Sequence, residues 1–191
     1  MSNPCVPFIR DYVPSVVFFK DVFTPEECKR IIDHGKSLEM IDGTTSKKRA
    51  KDVRNSRVSW LCPTPETEWF YSRLCGVIIQ SNVESFHFKI FGLMEGMQFT
   101  EYNAPAGHYG KHIDKRINAE VRKLSLSLQL TDPSEYEGGD LLLHLGDDPD
   151  NAPREQGSVT IFPSYVLHEV TPVTSGTRHS LVAWVTGEPF T

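Results

Sequence analysis

The sequence predicts a mainly β fold, a sandwich or jelly roll with supporting helices at its N-terminal side. Three observations lead there. From about Phe86 onward, short apolar segments recur between Pro, Gly, Asp and Asn clusters, the spacing of an all-β region. Within that region Leu124 to Leu130 (LSLSLQL) alternates strictly, with four leucines on one face and Ser125, Ser127 and Gln129 on the other. Helical periodicity, by contrast, is confined to the first 85 residues.

The elements follow in order. VVFF reads as a short apolar strand, and a helix start comes next: Thr24 can cap, Pro25 suits the first helical position and Glu27 completes a capping box. Cys28, Ile31, Ile32 and Leu38 then recur on one face. A second helix is expected from Pro65 to Gln80, with Phe70, Leu74, Val77 and Ile78 facing the core. Between the two lies IDGTTSKKRAKDVRNSR, dense in Lys and Arg. Its region 46–57 reads as a solvated loop, as a lid, or as a docking patch for an acidic substrate. In the second half, DPSEYEGGD supplies a turn before LLLHL, and GDDPDNAPRE a loop before SVTIF.

Composition narrows the function classes. At 191 residues the chain suits one domain, with 1–85 as helical and strand support and 86–191 as a β core. Hydrophobic content of 39% and charged content of 24% are those of an ordinary soluble protein. A net charge of -5 argues against nucleic acid as the partner, and a role through the Lys47 to Arg57 patch is the weaker reading because the rest of the chain is acidic. No segment reaches the roughly 18 apolar residues of a membrane span, and MSNPCVPFIRD lacks the basic-then-apolar order of an export signal. A cytoplasmic location is expected. Cys5, Cys28, Cys62 and Cys75 show no CxxC spacing, so reduced thiols are expected rather than a zinc ribbon.

The chemistry-bearing residues are His112 and Asp114 in HIDKR, His168 in YVLHEV, and Arg178. Two imidazoles and a carboxylate form the facial set that suits a non-heme Fe(II) site with open positions. A guanidinium beside it offers a fork for a carboxylate. Residues two apart in a strand share a face, so His112 and Asp114 can grip one ion. Pro172 and the Ser175-Gly176 pair mark a turn, and a hairpin centred near Val173 would set His168 opposite Arg178. Each residue also has a structural reading: an HxD pair arises by chance, and a histidine in an apolar strand is often simply hydrogen-bonded. Among the other histidines, His108 and His112 are four apart, but Pro and Gly in NAPAGHYG speak against a helix there. His144 reads as structural, and His34, His87 and His179 lack a comparable carboxylate partner nearby in sequence.

Three stretches, EYNAPAGHYGKHIDKR, RKLSLSLQLTDPSEYEGGDLLL and QGSVTIFPSYVLHEVTPVTSGTRHSLVAWV, together with VFTPEECKRII and RNSRVSWL, carry a resemblance. In that order the sequence resembles the Fe(II)- and 2-oxoglutarate-dependent dioxygenases of the prolyl 4-hydroxylase type, especially the PKHD-type hydroxylases. The resemblance implies a double-stranded β-helix, with His112, Asp114 and His168 as iron ligands and Arg178 on the distal carboxylate of 2-oxoglutarate. It further implies co-substrate contacts from Tyr102 and from Ser180, which shares a face with Arg178. Tyr109 and Trp184 become candidates for the substrate entrance, beside their alternative as core aromatics. Several animal prolyl hydroxylases carry tyrosine where this chain has Gln129, which makes Gln129 a candidate co-substrate contact of a different kind. Fe(II), 2-oxoglutarate and ascorbate as reductant are the implied cofactors. A prolyl residue in a peptide or protein is the implied substrate, with succinate and CO2 released. A free amino acid or other small molecule is the second substrate reading. A non-catalytic metal- and 2-oxoglutarate-binding sensor barrel is the alternative of a different class.

Overall fold

The computed structural model describes residues 14–43, 53–114 and 121–189. Strand β1 (Val17–Phe19) leads into helix α1 (Pro25–Ser37), which starts as the sequence dictates. The Thr24 hydroxyl accepts from the Glu27 N–H, and the Glu27 carboxylate accepts from the Thr24 N–H. Glu27 also takes a two-pronged ion pair from Arg73 on α2 (Glu68–Ser81), tying the helices together. Helix α2 begins three residues later than the pattern predicts. Thr67 donates to Cys62 O and accepts from the Thr64 N–H, so Pro65 is held in a turn rather than a first helical turn.

Between the helices run β2 (Ile41–Asp42), β3 (Arg54–Asn55) and β4 (Arg57–Leu61). After α2 come β5 (Ile90–Leu93), β6 (Met97–Asn103), β7 (Gly107–His112) and β8 (Arg122–Gln129). The chain continues with β9 (Tyr136–Gly138), β10 (Leu141–Leu143), β11 (Asp150–Asn151), β12 (Val159–Pro163) and β13 (His168–Gly187). Every pairing is antiparallel. One face of the jelly roll has the order β1-β12-β8-β13-β6-β4-β2, and the facing sheet sets β10, β7 and β9 against the first half of β13. Lys47 to Asp52, the centre of the basic loop, lie outside the described residues, so its reading as a lid falls outside them too. Among the described residues no helix is long and apolar enough to cross a membrane.

The alternation of β8 decides the layering. Leu124, Leu126, Leu128 and Leu130 are fully buried with Ile31, Leu74 and Phe99 in a core between the larger sheet and the helices. Each such leucine contributes about 1.5–3 kcal/mol of burial. Helix α1 approaches this sheet at Gly35, where an added Cβ would lie 2.5 Å from Phe99 Cγ, so only glycine permits the contact. A second, smaller core of Tyr102, Leu141, Leu143, Phe162, Val170 and Val173 fills the space between the two sheets.

The turn expected about Val173 does not form. Residues 168–187 run as one strand, because the segment that would fold on itself is already paired with other strands: Val173 with Gly107 and Gly138, Ser175 with Glu137, Gly176 with Tyr136. Register shifts between Val170, Val173 and Ser175 bend it. Gly176, at φ 71°, sits where a Cβ would meet Glu135 O at 2.0 Å, just before the strand enters the larger sheet at Thr177.

His179 corrects the sequence reading in another way. Its Nε2 faces Glu101 Oε2 at 3.2 Å, a carboxylate supplied by β6, and its Nδ1 faces the Thr131 hydroxyl at 3.0 Å. His144 likewise meets Glu169 at 2.9 Å. Burial, and after it the Lys36 ammonium, push the His179 imidazole down from the ordinary 6.5 to about 4, against the pull of Glu101. The folded chain then binds fewer protons than the unfolded chain between those values, so stability present above pH 6.5 is lost as pH falls toward 4. Between pH 7 and 4.5, urea titration of the wild type should lose about 2 kcal/mol more than His179→Gln does. Equal losses in the two proteins would contradict this account.

Candidate metal centre

His112 closes β7, and His168 opens β13 directly across from it. Asp114 lies just past the strand end, its N–H donating to Ser164 O at 3.0 Å, and the alternation that places it beside His112 carries over those two residues. The ligand atoms of these three side chains all lie within 4.8 Å of one another. His112 Nε2 is 3.7 Å from Asp114 Oδ1, and His168 Nε2 is 3.5 Å from Asp114 Oδ2.

The hydrogen bonds behind the rings fix what those atoms offer. His112 Nδ1 faces Gly110 O at 2.8 Å, and His168 Nδ1 faces Val166 O at 2.9 Å. A carbonyl oxygen only accepts, so each Nδ1 carries a proton and Nε2 is the ring atom turned inward, the one able to ligate a metal. The Ser125 hydroxyl donates to Asp114 Oδ2 at 2.7 Å. Burial, helped by the neighbouring His168, pushes the His112 imidazole down to about 4. Burial pushes the Asp114 carboxyl up, but His168, His112 and the Ser125 hydroxyl together hold it below its ordinary value. Two imidazole nitrogens and a carboxylate therefore converge on one point, with Asp114 and His168 buried and His112 half-buried. A divalent cation satisfies that arrangement, and two nitrogens with one carboxylate suit Fe(II). Tyr109 stacks on His112 with ring centroids 3.5 Å apart, and Phe162 packs edge-on to His168 at 4.8 Å.

The other end of the same cavity is cationic. Arg178 is 1% exposed and is the largest fully buried side chain among the described residues. It pairs across strands with Tyr102, its guanidinium 5.4 Å from that ring. Gln129 Oε1 accepts from Nε at 3.2 Å and from Nη2 at 2.9 Å. Nη1 is buried and has no hydrogen-bond partner among the described residues. An uncompensated buried cation is costly, so the site calls for an anion. The cavity is lined at one end by the His112, Asp114 and His168 set and at the other by Arg178 and Ser180.

Of the residues the sequence singled out, His112, Asp114, His168, Arg178, Tyr102, Ser180, Tyr109 and Trp184 all line this cavity. Gln129 does not; its amide is turned onto Arg178. The Trp184 indole N–H is buried near Asp114 without reaching hydrogen-bond geometry, and the Arg122 guanidinium lies 3.8 Å from its ring centroid. Arg122 is itself clamped by both oxygens of Glu95 at 2.8 Å. Sequence reasoning missed Arg54, which the basic stretch disguised as a solvated residue. It is 7% exposed, lines the cavity, lies over Tyr109 at 4.6 Å, and donates to Ser56 Oγ and Gln98 Oε1 at 2.8 Å each. The R-x-S spacing in RNSRVSWL was the available signal; Gln98, on another strand, was not visible.

Comparisons with known proteins agree with this geometry. The family model for the 2OG-Fe(II) oxygenase superfamily matches residues 97–186. A PKHD-type hydroxylase of Picosynechococcus sp. is 33% identical over 175 residues, covering 88% of this chain and 78% of the relative. A PKHD-type hydroxylase of Prochlorococcus marinus is 34% identical over 113 residues, 57% of this chain, and the match spans only about half (51%) of that relative's length. Among solved structures, a Pseudomonas putida prolyl-4-hydroxylase superposes with a TM-score of 0.71 at 19% identity, covering 92% of this chain and 94% of its own. A Trichoplax adhaerens prolyl hydroxylase, solved with a hypoxia inducible factor peptide fragment, gives 0.77 at 15% identity, covering 91% and 84%. At such identities these structures share the jelly-roll fold.

Removing a donor should be felt as lost metal affinity. Titration calorimetry with Mn(II) should show a loss of roughly 100-fold or more for His112→Ala and Asp114→Ala, and about 10-fold for Ser125→Ala. Unchanged Mn(II) affinity in the first two would show that the metal binds elsewhere.

Proposed function

This chain belongs to the 2OG-Fe(II) oxygenase superfamily, and from that premise we propose that it hydroxylates a prolyl residue in a peptide or protein, using Fe(II) and 2-oxoglutarate. One observation carries the cofactor assignment: three converging ligand side chains and a guanidinium N–H that is unpartnered among the described residues face the two ends of one cavity. A dianion with a metal-binding head and a distal carboxylate answers both demands at once.

When bound, Fe(II) and 2-oxoglutarate supply the oxidising chemistry, in which dioxygen is consumed, the oxo acid leaves as succinate and CO2, and one oxygen becomes a hydroxyl on the substrate. The chain supplies placement. His112, Asp114 and His168 hold the metal, and Ser125 steadies the carboxylate. Arg178 fixes the distal end of the co-substrate by a charge-assisted contact, with Tyr102 and Ser180 beside it. Tyr109 and Trp184 form apolar walls where the substrate carbon enters.

Two observations favour a peptide over a free amino acid. The Trichoplax neighbour is a prolyl hydroxylase complexed with a peptide fragment. A groove bordered by Asn55, Arg57, Glu101 and Asn103 shares Arg54 with the cavity, offering an extended chain polar partners beside it.

Incubation with Fe(II), 2-oxoglutarate and a peptide library, with and without ascorbate, should produce succinate and a gain of one oxygen on proline. His112→Ala should abolish both. Arg178→Ala should raise the KM for 2-oxoglutarate roughly 100-fold or more, since the distal carboxylate loses its buried partner. Oxygen gain only on a free amino acid would redirect the substrate assignment, and metal binding without any succinate would favour the sensor.

A further inference from the structure

We infer that Gln129 is a positioning residue that holds Arg178 in the orientation needed to receive a distal carboxylate, without contacting the co-substrate itself. The inference rests on the oxygenase reading above. Gln129 lies on β8 beside β13, with its Cα opposite Ser180, and is 3% exposed. Guanidinium has only donors, so the atom facing it must be the amide oxygen. That oxygen takes Nε–H and one Nη2–H, which is one edge of the fork. The remaining edge, Nη1 with the second Nη2–H, is left for the ligand, and Nη1 has no other partner among the described residues. The stem of Arg178 is confined as well: a Cβ on Gly139 would lie 3.0 Å from Arg178 Cδ, so that glycine gives the arginine its channel.

The choice of an amide matters electrostatically. A buried arginine needs acceptors, yet a carboxylate acceptor would neutralise the charge that attracts the ligand. Gln129 satisfies two N–H groups and leaves the full positive charge in place. Its orientation also explains why it is absent from the cavity wall.

The test compares two 2-oxo acids on the Mn(II)-loaded protein by calorimetry: 2-oxoglutarate, and 2-oxobutyrate, which lacks the distal carboxylate. Gln129→Met, close in volume and apolar, should weaken 2-oxoglutarate by roughly tenfold or more while leaving 2-oxobutyrate affinity unchanged. Gln129→Glu keeps an acceptor on the same edge but adds a negative charge, and should weaken 2-oxoglutarate further, again sparing 2-oxobutyrate. Wild-type 2-oxobutyrate affinity in a variant also shows that its cavity has folded. Equal weakening of both acids would mean that Gln129 only supports the fold, and unchanged 2-oxoglutarate affinity in either variant would remove it from the site; both results overturn the inference. Wild-type protein that binds Mn(II) but not 2-oxoglutarate would instead overturn the oxygenase reading on which the inference depends.

Discussion

Strand β13 has neighbours on both edges over most of its length, and that double pairing keeps His168 and Arg178 on one continuous backbone. Ten residues of extended chain span about 33 Å. Both side chains nevertheless line a single cavity. The strand can satisfy both conditions only by bending, and the register shifts through Val170, Val173 and Ser175, followed by Gly176 at positive φ, supply the bend. A straight strand would separate the imidazole from the guanidinium. The jelly roll is thus the device that sets a metal-binding end against an anion-binding end.

Strand β8 plays the complementary part. Its leucines fill the core under the helices, while its polar face braces both ends of the cavity. Ser125 holds the Asp114 carboxylate at 2.7 Å, and Gln129 holds the Arg178 guanidinium at 2.9 and 3.2 Å. The period of two that makes a stable sandwich therefore also distributes support along one line of side chains. Around it, Tyr109, Phe162 and Trp184 keep the metal donors and the arginine away from water, where lone pairs and charge would be satisfied without a ligand.

Much of this was legible in the sequence, because it depends on local periodicity. The Thr24 cap, the alternation of Leu124 to Leu130 and the His112/Asp114 spacing are short-range features, and the structure bears them out. What escaped depends on partners distant in sequence. The Pro172 to Gly176 segment carries turn residues, yet strands contributed by residues 107–112 and 136–143 claim its hydrogen bonds first. Arg54 reads as part of a solvated basic run, but Gln98 on β6 and the Tyr109 ring draw it inward. The alternation gives the face of Gln129, whereas its amide oxygen meets a guanidinium 49 residues away. His179 finds its carboxylate, Glu101, 78 residues away for the same reason.

The most direct test of the central claim is a crystal structure of the chain with Mn(II) and 2-oxoglutarate, with the metal located by its anomalous signal. The account predicts one manganese ion bound by His112 Nε2, His168 Nε2 and an Asp114 oxygen. It also predicts the distal carboxylate of 2-oxoglutarate on Arg178 Nη1, with Gln129 still on the Nε edge. Metal at any other place, or a distal carboxylate that leaves Arg178 Nη1 unpaired, would contradict it.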